Sequence, residues 1–286
     1  MSSTQIYEQH YRRLDASVPL RSHRWIPIAR EGLKALFSYR AFLGLIAIGW
    51  LQMFGRLVQI YVLTRFPDAR RVFPIDDKLF FDYLSFQMPW MFLMAAYSGS
   101  GLIANDMRTG GLLLYLSRPL ILKDYIVGKL SIVFVALSMV TLVPGLILFF
   151  GARSLAPDAL GDAAHWLLVP KVIAASLVLV LPTIGVILAM SALAKNPRFA
   201  GLGFFFIFIG GTVAQAVARR AFRSSYAGLL SLQTTMLRVG QWIFDVKPTR
   251  LTSGIEPEYA FLLLAGVFIA CLLVLKSRIR AVEIVK

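Results

Sequence analysis

Side chains that could do chemistry are few in this chain and lie far from one another. The three histidines, His10, His23 and His165, have no carboxylate cluster beside them. The adjacent pair Asp76-Asp77 has no third ligand at a spacing typical of metal sites, which favours a solvated loop. No nucleophile with a neighbouring base is recognisable either, so we expect no catalytic residue and no metal site.

The sequence contains no phosphate-binding loop for ATP. The nearest match, Gly128-Lys129, is followed by Leu130 and lacks the earlier glycine that such a loop requires. We therefore expect that the chain is not an enzyme and carries no cofactor of its own. The single cysteine, Cys271, lies in an apolar run and excludes a disulfide within the chain.

One apolar stretch nevertheless contains three polar side chains. Gln52, Arg56 and Gln59 follow one another at spacings of four and three residues, so they share one face of a helix. A charged side chain at the centre of a bilayer costs about 2.5–3.5 kcal/mol on insertion scales, so Arg56 should face protein, water or an anionic head group. Two roles fit: the three residues line a translocation path, or Arg56 extends to the interface or binds carbonyls of a neighbouring helix.

These residues stand in a chain of 286 residues that is 58% hydrophobic and 16% charged, with a mean hydropathy of +0.70. Soluble domains are about half apolar and about one quarter charged, so both values indicate a membrane protein. The formal net charge of +15 would elsewhere suggest nucleic acid. Because the basic residues flank apolar runs, we expect membrane lipids and not nucleic acid as a partner.

Six windows are long enough to cross a bilayer as helices. The first forty residues are polar and contain no signal-peptide core, so we expect the N-terminus to stay in the cytoplasm. An even number of spans then places both termini there. The predicted windows are 41–64, 83–104, 130–150, 168–194, 200–218 and 259–275.

The basic residues support this orientation. Of the 30 Lys and Arg residues, 17 lie on predicted inner segments and 12 on outer segments, and the remaining one is Arg56. The sequence thus predicts an all-α, polytopic membrane protein with a single transmembrane domain over 1–286. Its parts include a cytoplasmic N-terminal segment, 1–40, a cytoplasmic loop, 105–129, and an extracytoplasmic segment, 219–258.

An amphipathic helix is predicted just before the first span, within 25–40. Its apolar residues recur at three- and four-residue spacing, and charged residues occupy the other side. We expect this helix to lie on the inner leaflet, with an ordinary solvated helix as the alternative. The apolar face comprises Trp25, Ala29, Leu33, Leu36 and Phe37, and the charged side comprises Arg30, Glu31 and Lys34.

Small residues and prolines mark the later spans. Gly203, Gly210, Ala214 and Ala218 form a small-residue face for helix packing, within the subunit or across a dimer. Pro144-Gly145 and Pro182 are expected to kink the third and fourth spans. Apolar and charged residues alternate irregularly in the outer segment 219–258, which fits either short helices dipping into the interface or a small folded cap.

The loop between the second and third predicted spans has an unusual composition. Asp106 can cap a helix, Gly110-Gly111 loosens its start, and Arg118-Pro119 ends it. The intervening run LLLYL, residues 112–116, is more apolar than a free cytoplasmic loop should be. It fits a short helix that docks onto another protein, or one that lies on the membrane surface.

On these residues the chain resembles the permease subunits of the type-2 ABC exporter family, the NosY-like membrane components. The resemblance rests on Gly101–Asp106, Gly110-Gly111, the YLSRP stretch at 115–119 and Tyr125–Lys129. It covers nearly the whole chain as a topology. The basic residues Arg219–Arg223, which the topology places outside, fit the family less well.

The resemblance implies a half-transporter in the bacterial cytoplasmic membrane. Two permease chains, identical or related, would pair, and each would dock a separate ATPase subunit that binds ATP and Mg²⁺. The docking element would be a coupling helix between spans two and three, and the helix before the first span would brace the same ATPase. The docking residues would be Leu113, Leu114, Tyr115 and Leu116, with Asp106 or Arg118 fixing the register by charge.

An ATP-driven exporter is therefore the leading functional hypothesis. A non-transporting membrane anchor that recruits cytoplasmic partners through the same loop is the second, and an ion-coupled carrier is the third. The lack of an acidic residue inside the predicted spans weakens the third. Lipids, lipid-linked glycans, peptides and amphipathic drugs fit the apolar bundle equally well as substrates.

Overall fold

The computed structural model describes residues 24–66, 73–111, 122–160, 163–222 and 224–284. Within these ranges every regular element is a helix, which confirms the all-α prediction for this part of the chain. Two elements are 3-10 helices, Ala163–Leu167 and Ser225–Leu230. The α-helices are α1 (Trp25–Ser38), α2 (Arg40–Arg65), α3 (Asp77–Arg108), α4 (Leu122–Ser138), α5 (Leu142–Leu155), α6 (Pro157–Leu160), α7 (Leu168–Leu193), α8 (Pro197–Phe222), α9 (Leu232–Ile243) and α10 (Pro257–Ile284).

Five helical stretches of the described chain are long and apolar enough to cross a membrane. They overlap five of the six predicted windows and support the assignment to multi-pass membrane proteins. The second stretch combines α4 and α5, and the third adds the end of the preceding 3-10 helix to α7. The stretches are Arg40–Arg65, Leu122–Leu155, His165–Leu193, Pro197–Phe222 and Pro257–Ile279.

The remaining window, 83–104, lies inside α3. This helix is 32 residues long but does not meet the criterion of length and composition that the other five meet. It packs against α2, α4, α7 and α8, and its buried residues include the polar side chains of Gln87 and Ser98. Other helices cover α3 except along one stripe that exposes Phe86, Leu93 and Tyr97, and the covered sides do not need a lipid-compatible surface. This coverage explains its lower apolar content.

The third predicted window, 130–150, is not one continuous helix. α4 ends at Ser138 and α5 begins at Leu142, so the kink predicted at Pro144-Gly145 is a break. A proline near the start of a helix is tolerated because the N–H that it lacks has no helical acceptor there. Trp50 on α2 donates its indole N–H to the carbonyl of Met139 in the break, at 2.7 Å. By contrast, α7 continues through Pro182.

The centre of the bundle is the contact between α3 and α7. A Cβ atom at Gly99 would lie 2.7 Å from Cγ1 of Ile187, so the helices approach more closely than any larger residue would allow. Nearer the end of α7, Ser191 Oγ donates to the carbonyl of Ser100 and accepts from the backbone N–H groups of Ile103 and Ala104. These bonds show that α3 and α7 run parallel and end at the same side of the bundle.

The predicted helix before the first span is observed as α1, and Tyr39 in an extended conformation separates it from α2. Its buried side packs against α4, where a Cβ at Gly128 would lie 2.9 Å from Ile28. The predicted apolar face is partly right. Ala29 and Leu36 are buried, but Ile28 replaces Phe37, which is exposed.

The segment 219–258 folds back into the bundle in its described part, 224–258. α9 packs against α3, α7, α8 and α10. A Cβ at Gly211 would lie 2.9 Å from the carbonyl oxygen of Leu230, although Gly211 lies eleven residues before the end of α8 at Phe222. Leu230 therefore sits about 16 Å back along α8 from its end. The segment therefore packs on the side of α8, and whether it dips into the interface or forms a cap stays a prediction.

Candidate functional site

The predicted docking residues Leu113, Leu114, Tyr115, Leu116 and Arg118 lie outside the described residues. The structure does describe the helix ends on either side of this segment. α3 ends at Arg108, and α4 begins at Leu122. These two ends form the loop base, which we define as Asp106, Tyr125 and Lys129.

The three residues of the loop base bind one another through a single carboxylate oxygen. Asp106 Oδ2 accepts a hydrogen bond from the Tyr125 hydroxyl at 2.7 Å and forms an ion pair with Lys129 Nζ at 2.8 Å. Nζ of Lys129 also lies 5.5 Å from the centroid of the Tyr125 ring. Charge-assisted bonds of this kind are short and strong, so they tie the end of α3 to the first two turns of α4.

The loop base is mostly shielded from solvent. Tyr125 is fully buried, and the side chain of Lys129 is only 8% exposed. Ile279 of α10 is buried against Tyr125, and Ile28 of α1 packs beside Gly128. The ends of α1, α3, α4 and α10 therefore meet at the point where the undescribed segment 112–121 begins and ends.

The structure gives Asp106 an internal partner set. The sequence interpretation used its charge to fix the register of an ATPase subunit, but the carboxylate binds Tyr125 and Lys129 of its own chain. The docking role of Asp106 stays a prediction. The sequence contains a signal that Tyr125 and Lys129 could bind the same partner, since they are four residues apart and share one face of α4.

The three polar residues of the first span do not form one hydrogen-bonded cluster. Arg56 Nη1 donates to Gln59 Oε1 at 2.9 Å, within α2. Gln52 instead makes a long contact from Nε2 to the carbonyl of Tyr83 on α3, at 3.4 Å. All three side chains are half-buried beside the face of α2 that packs on the bundle. Both predicted roles, path and packing, are compatible with these contacts.

Further buried polar atoms follow the interface between α2 and α3. Gln87 is fully buried and donates to the carbonyl of Gly49 at 3.0 Å. Among the described residues, Gln52 Oε1 and Gln87 Oε1 are buried without a hydrogen-bond partner, and so is the hydroxyl of Tyr83, whose ring lies beside Gly145 of α5. Each such atom costs about 1–3 kcal/mol. The α2–α3 interface thus contains buried polar side chains close to Gln52.

The small-residue face of α8 is not its main packing face within this chain. A Cβ at Gly203 would contact Met190 at 3.0 Å, but Gly210 has only its own helix nearby, and Ala214 is exposed. Ala218 is half-buried. Within the described chain Gly210 and Ala214 therefore do not pack on another helix, and the dimer alternative stays a prediction for these two positions. The buried stripe of α8 consists of Ala200, Phe204, Phe208 and Gln215.

Gln215 is a polar contact that the sequence interpretation missed. It is 3% exposed, and its Oε1 accepts from the Thr234 hydroxyl of α9 at 2.5 Å. Ser231, at the start of α9, caps that helix through Thr234 N–H and lies 3.3 Å from the Thr212 hydroxyl. These polar contacts attach the re-entering α9 to α8. The sequence signal was the seven-residue spacing between Phe208 and Gln215, which places both residues on the buried side of α8.

At the opposite end of the bundle, the pair Asp76-Asp77 has a structural role. Asp76 caps α3 by accepting from the N–H of Leu79. Asp77 forms an ion pair with Lys171 of α7, which also binds Asp245 after α9. No group of three or more potential metal ligands occurs among the residues that the structure describes.

The comparisons with known proteins do not assign the chain to a family. No protein-family model matches it, and neither does any curated protein.

Proposed function

We propose that this chain is the membrane-spanning permease subunit of an ATP-driven ABC exporter. A separate ATPase subunit binds ATP and Mg²⁺, hydrolyses ATP and docks through the segment 112–121. The observation that carries the proposal is the loop base, where Asp106 binds both Tyr125 and Lys129. A docking segment transmits movement to the spans only if both of its ends are fixed to them, and rigid, packed elements provide such coupling.

The proposal includes a six-span topology. α3 is the second span, and its lower apolar content follows from its position inside the bundle. The loop base then faces the cytoplasm of a bacterial cell, together with both termini. α1 lies along the inner leaflet with Arg30 and Lys34 exposed, opposite the Ile28 side that packs on α4. From there it braces the docked ATPase.

The functional unit is a pair of permease chains, identical or related. The open small-residue positions of α8, Gly210 and Ala214, allow the close approach of a second helix. The translocation path follows the α2–α3 interface, where Gln52 contacts the carbonyl of Tyr83 and Gln87 binds the carbonyl of Gly49. Arg56 and Gln59 lie one and two turns further along α2. Polar groups in a membrane protein typically line such paths because lipid does not solvate them.

Docking is tested by replacing Tyr115 and Leu116 together with aspartate. We expect the double variant to insert normally but to lose co-purification with the partner ATPase, because two charges in an apolar contact stay desolvated and unpaired. Phe73→Asp is the matched control, since Phe73 is exposed before α3, at the opposite end from the loop base. Unchanged co-purification of the double variant would refute the docking assignment.

The close packing of the core favours a second candidate, a non-transporting membrane anchor that recruits the same cytoplasmic partner. Gly99 against Ile187 leaves no room between α3 and α7 for a wide path. Reconstituted vesicles containing the permease and the ATPase distinguish the two. ATP-dependent movement of a lipid or an amphipathic dye supports the exporter, and stable docking without any movement supports the anchor.

A further inference from the structure

Two apolar furrows adjoin on the surface of α7. The first, of 420 Å³, lies between α7, α9 and α10, with Trp242 and Phe261 in its walls. The second, of 170 Å³, lies between α4, α7 and α10 and extends to Val127. Leu181 and Phe268 line both, so the two furrows are neighbours, and we call them together the lateral furrow.

The lateral furrow has the length and the opening that a lipid chain requires. Along α7 it extends from Ala174 to Ile184, which corresponds to about 15 Å of helix. That length is about half of a hydrocarbon core of roughly 30 Å, the depth of one leaflet. Its side is open, since Leu181 is 36% exposed and Trp242 is 56% exposed. The Ser131 hydroxyl in its wall is already bonded to the carbonyl of Val127.

The two ends of the lateral furrow differ in charge. At the end near the loop base, Lys123 is exposed one helical turn before Val127 on α4. Lys276, also exposed, follows Phe268 by about two turns on α10. At the other end the exposed charged residue of the lining helices is acidic, because Glu258 precedes Phe261 by three residues on the same side of α10. The exposed Lys247 and Arg250 lie outside these helices, in the segment between α9 and α10.

Lys171, at the acidic end, does not offset this difference in charge. Lys171, three residues before Ala174 on α7, is bound to Asp77 and Asp245. Asp245 remains largely exposed, with a side-chain exposure of 83%. On the lining helices an anionic head group is therefore favoured at the end with Lys123 and Lys276, where the membrane surface provides anionic lipids.

We propose that the lateral furrow is a binding site for an anionic phospholipid. One acyl chain lies along α7 between Val127 and Trp242, and the phosphate faces Lys123 and Lys276. The site does not depend on the exporter assignment, because it needs only the placement of these helices in a bilayer. It differs from annular lipid in having a bounded groove and a fixed charge at one end.

The test uses full-length protein in phosphatidylcholine nanodiscs that contain a trace of photoactivatable phospholipid, with a diazirine in the middle of one acyl chain. The probe carries either a phosphatidylglycerol or a phosphatidylcholine head group. After illumination, mass spectrometry locates the label. We expect the phosphatidylglycerol probe to label residues 174–184, and Lys123→Gln to lower the labelling ratio of phosphatidylglycerol to phosphatidylcholine about fivefold.

Two substitutions on one helix provide the matched comparison. Ala265→Phe fills the furrow from α10, whereas Ala270→Phe adds the same bulk on an exposed part of α10. We expect the first to abolish labelling of 174–184 and the second to leave it unchanged. Equal labelling in the wild type and Ala265→Phe, or the same labelling by both head groups, would show annular lipid only. Because Lys123 is exposed, its substitution decides the head-group preference even if Ala265→Phe fails to fold.

Discussion

At the scale of single residues, the ion pair between Asp106 and Lys129 is the most consequential contact of the described chain. Both charges are largely shielded from solvent, and the side chain of Lys129 is almost fully buried. A buried pair is not automatically stabilising compared with apolar residues, but removing one partner leaves the other charge uncompensated. Each member therefore loses a charged partner when the other is replaced.

Lys129→Met is expected to destabilise the protein by about 3 kcal/mol, because it leaves the Asp106 carboxylate poorly compensated. Thermal unfolding in detergent measures the change. The double variant Asp106→Asn with Lys129→Met should recover much of the loss, whereas Lys34→Met on the exposed side of α1 should have no effect. Additive losses in the double variant would show that the two side chains act independently.

At the scale of elements, two glycines allow α1 and α4 to pack closely together. Gly128 on α4 and Gly32 on α1 each face a branched side chain of the other helix, Ile28 and Ile132. Such contacts are specific to shape, so the position of α1 depends on keeping these sites small.

Gly128→Leu is expected to displace α1, because its Cβ would lie 2.9 Å from Ile28 and 3.3 Å from the carbonyl of Trp25. Faster trypsin cleavage at Arg30 and Lys34 would report the displacement. Gly44→Leu serves as control, because a Cβ at Gly44 meets nothing within 4 Å. Cleavage at the wild-type rate in Gly128→Leu would mean that α1 is held elsewhere.

At the scale of the whole molecule, the proposed topology depends on whether α3 crosses the membrane. In a Cys271→Ala background, single cysteines at Lys34, Lys78 and Lys123 should react with a membrane-impermeant maleimide from alternating sides. We expect Lys34→Cys and Lys123→Cys to react on one side and Lys78→Cys on the other. Reaction of the cysteines at 78 and 123 on the same side would exclude α3 as a span.

The helices could largely be predicted from the sequence, but their contacts could not. Apolar windows located α2, α7, α8 and α10 because lipid-facing and core-facing surfaces both require apolar residues. The same signal is weaker in α3, since a helix inside the bundle tolerates Gln87 and Ser98 when neighbours cover them. The bond between Gln215 and Thr234 depends on the re-entry of α9, which hydropathy alone does not reveal.

The break between α4 and α5 has a mechanical consequence. α4, with its 17 residues, is a stiff rod about 25 Å long. The loop base and the Gly128 contact with α1 lie near one end of this rod, and residues 139–141 form a joint at the other. Rotation about that joint would move α1 together with α4, and the bonds of Asp106 on α3 to Tyr125 and Lys129 would oppose it. The hydrogen bond from the Trp50 indole to the Met139 carbonyl would hold residues 139–141 against α2 and so limit the rotation of α4.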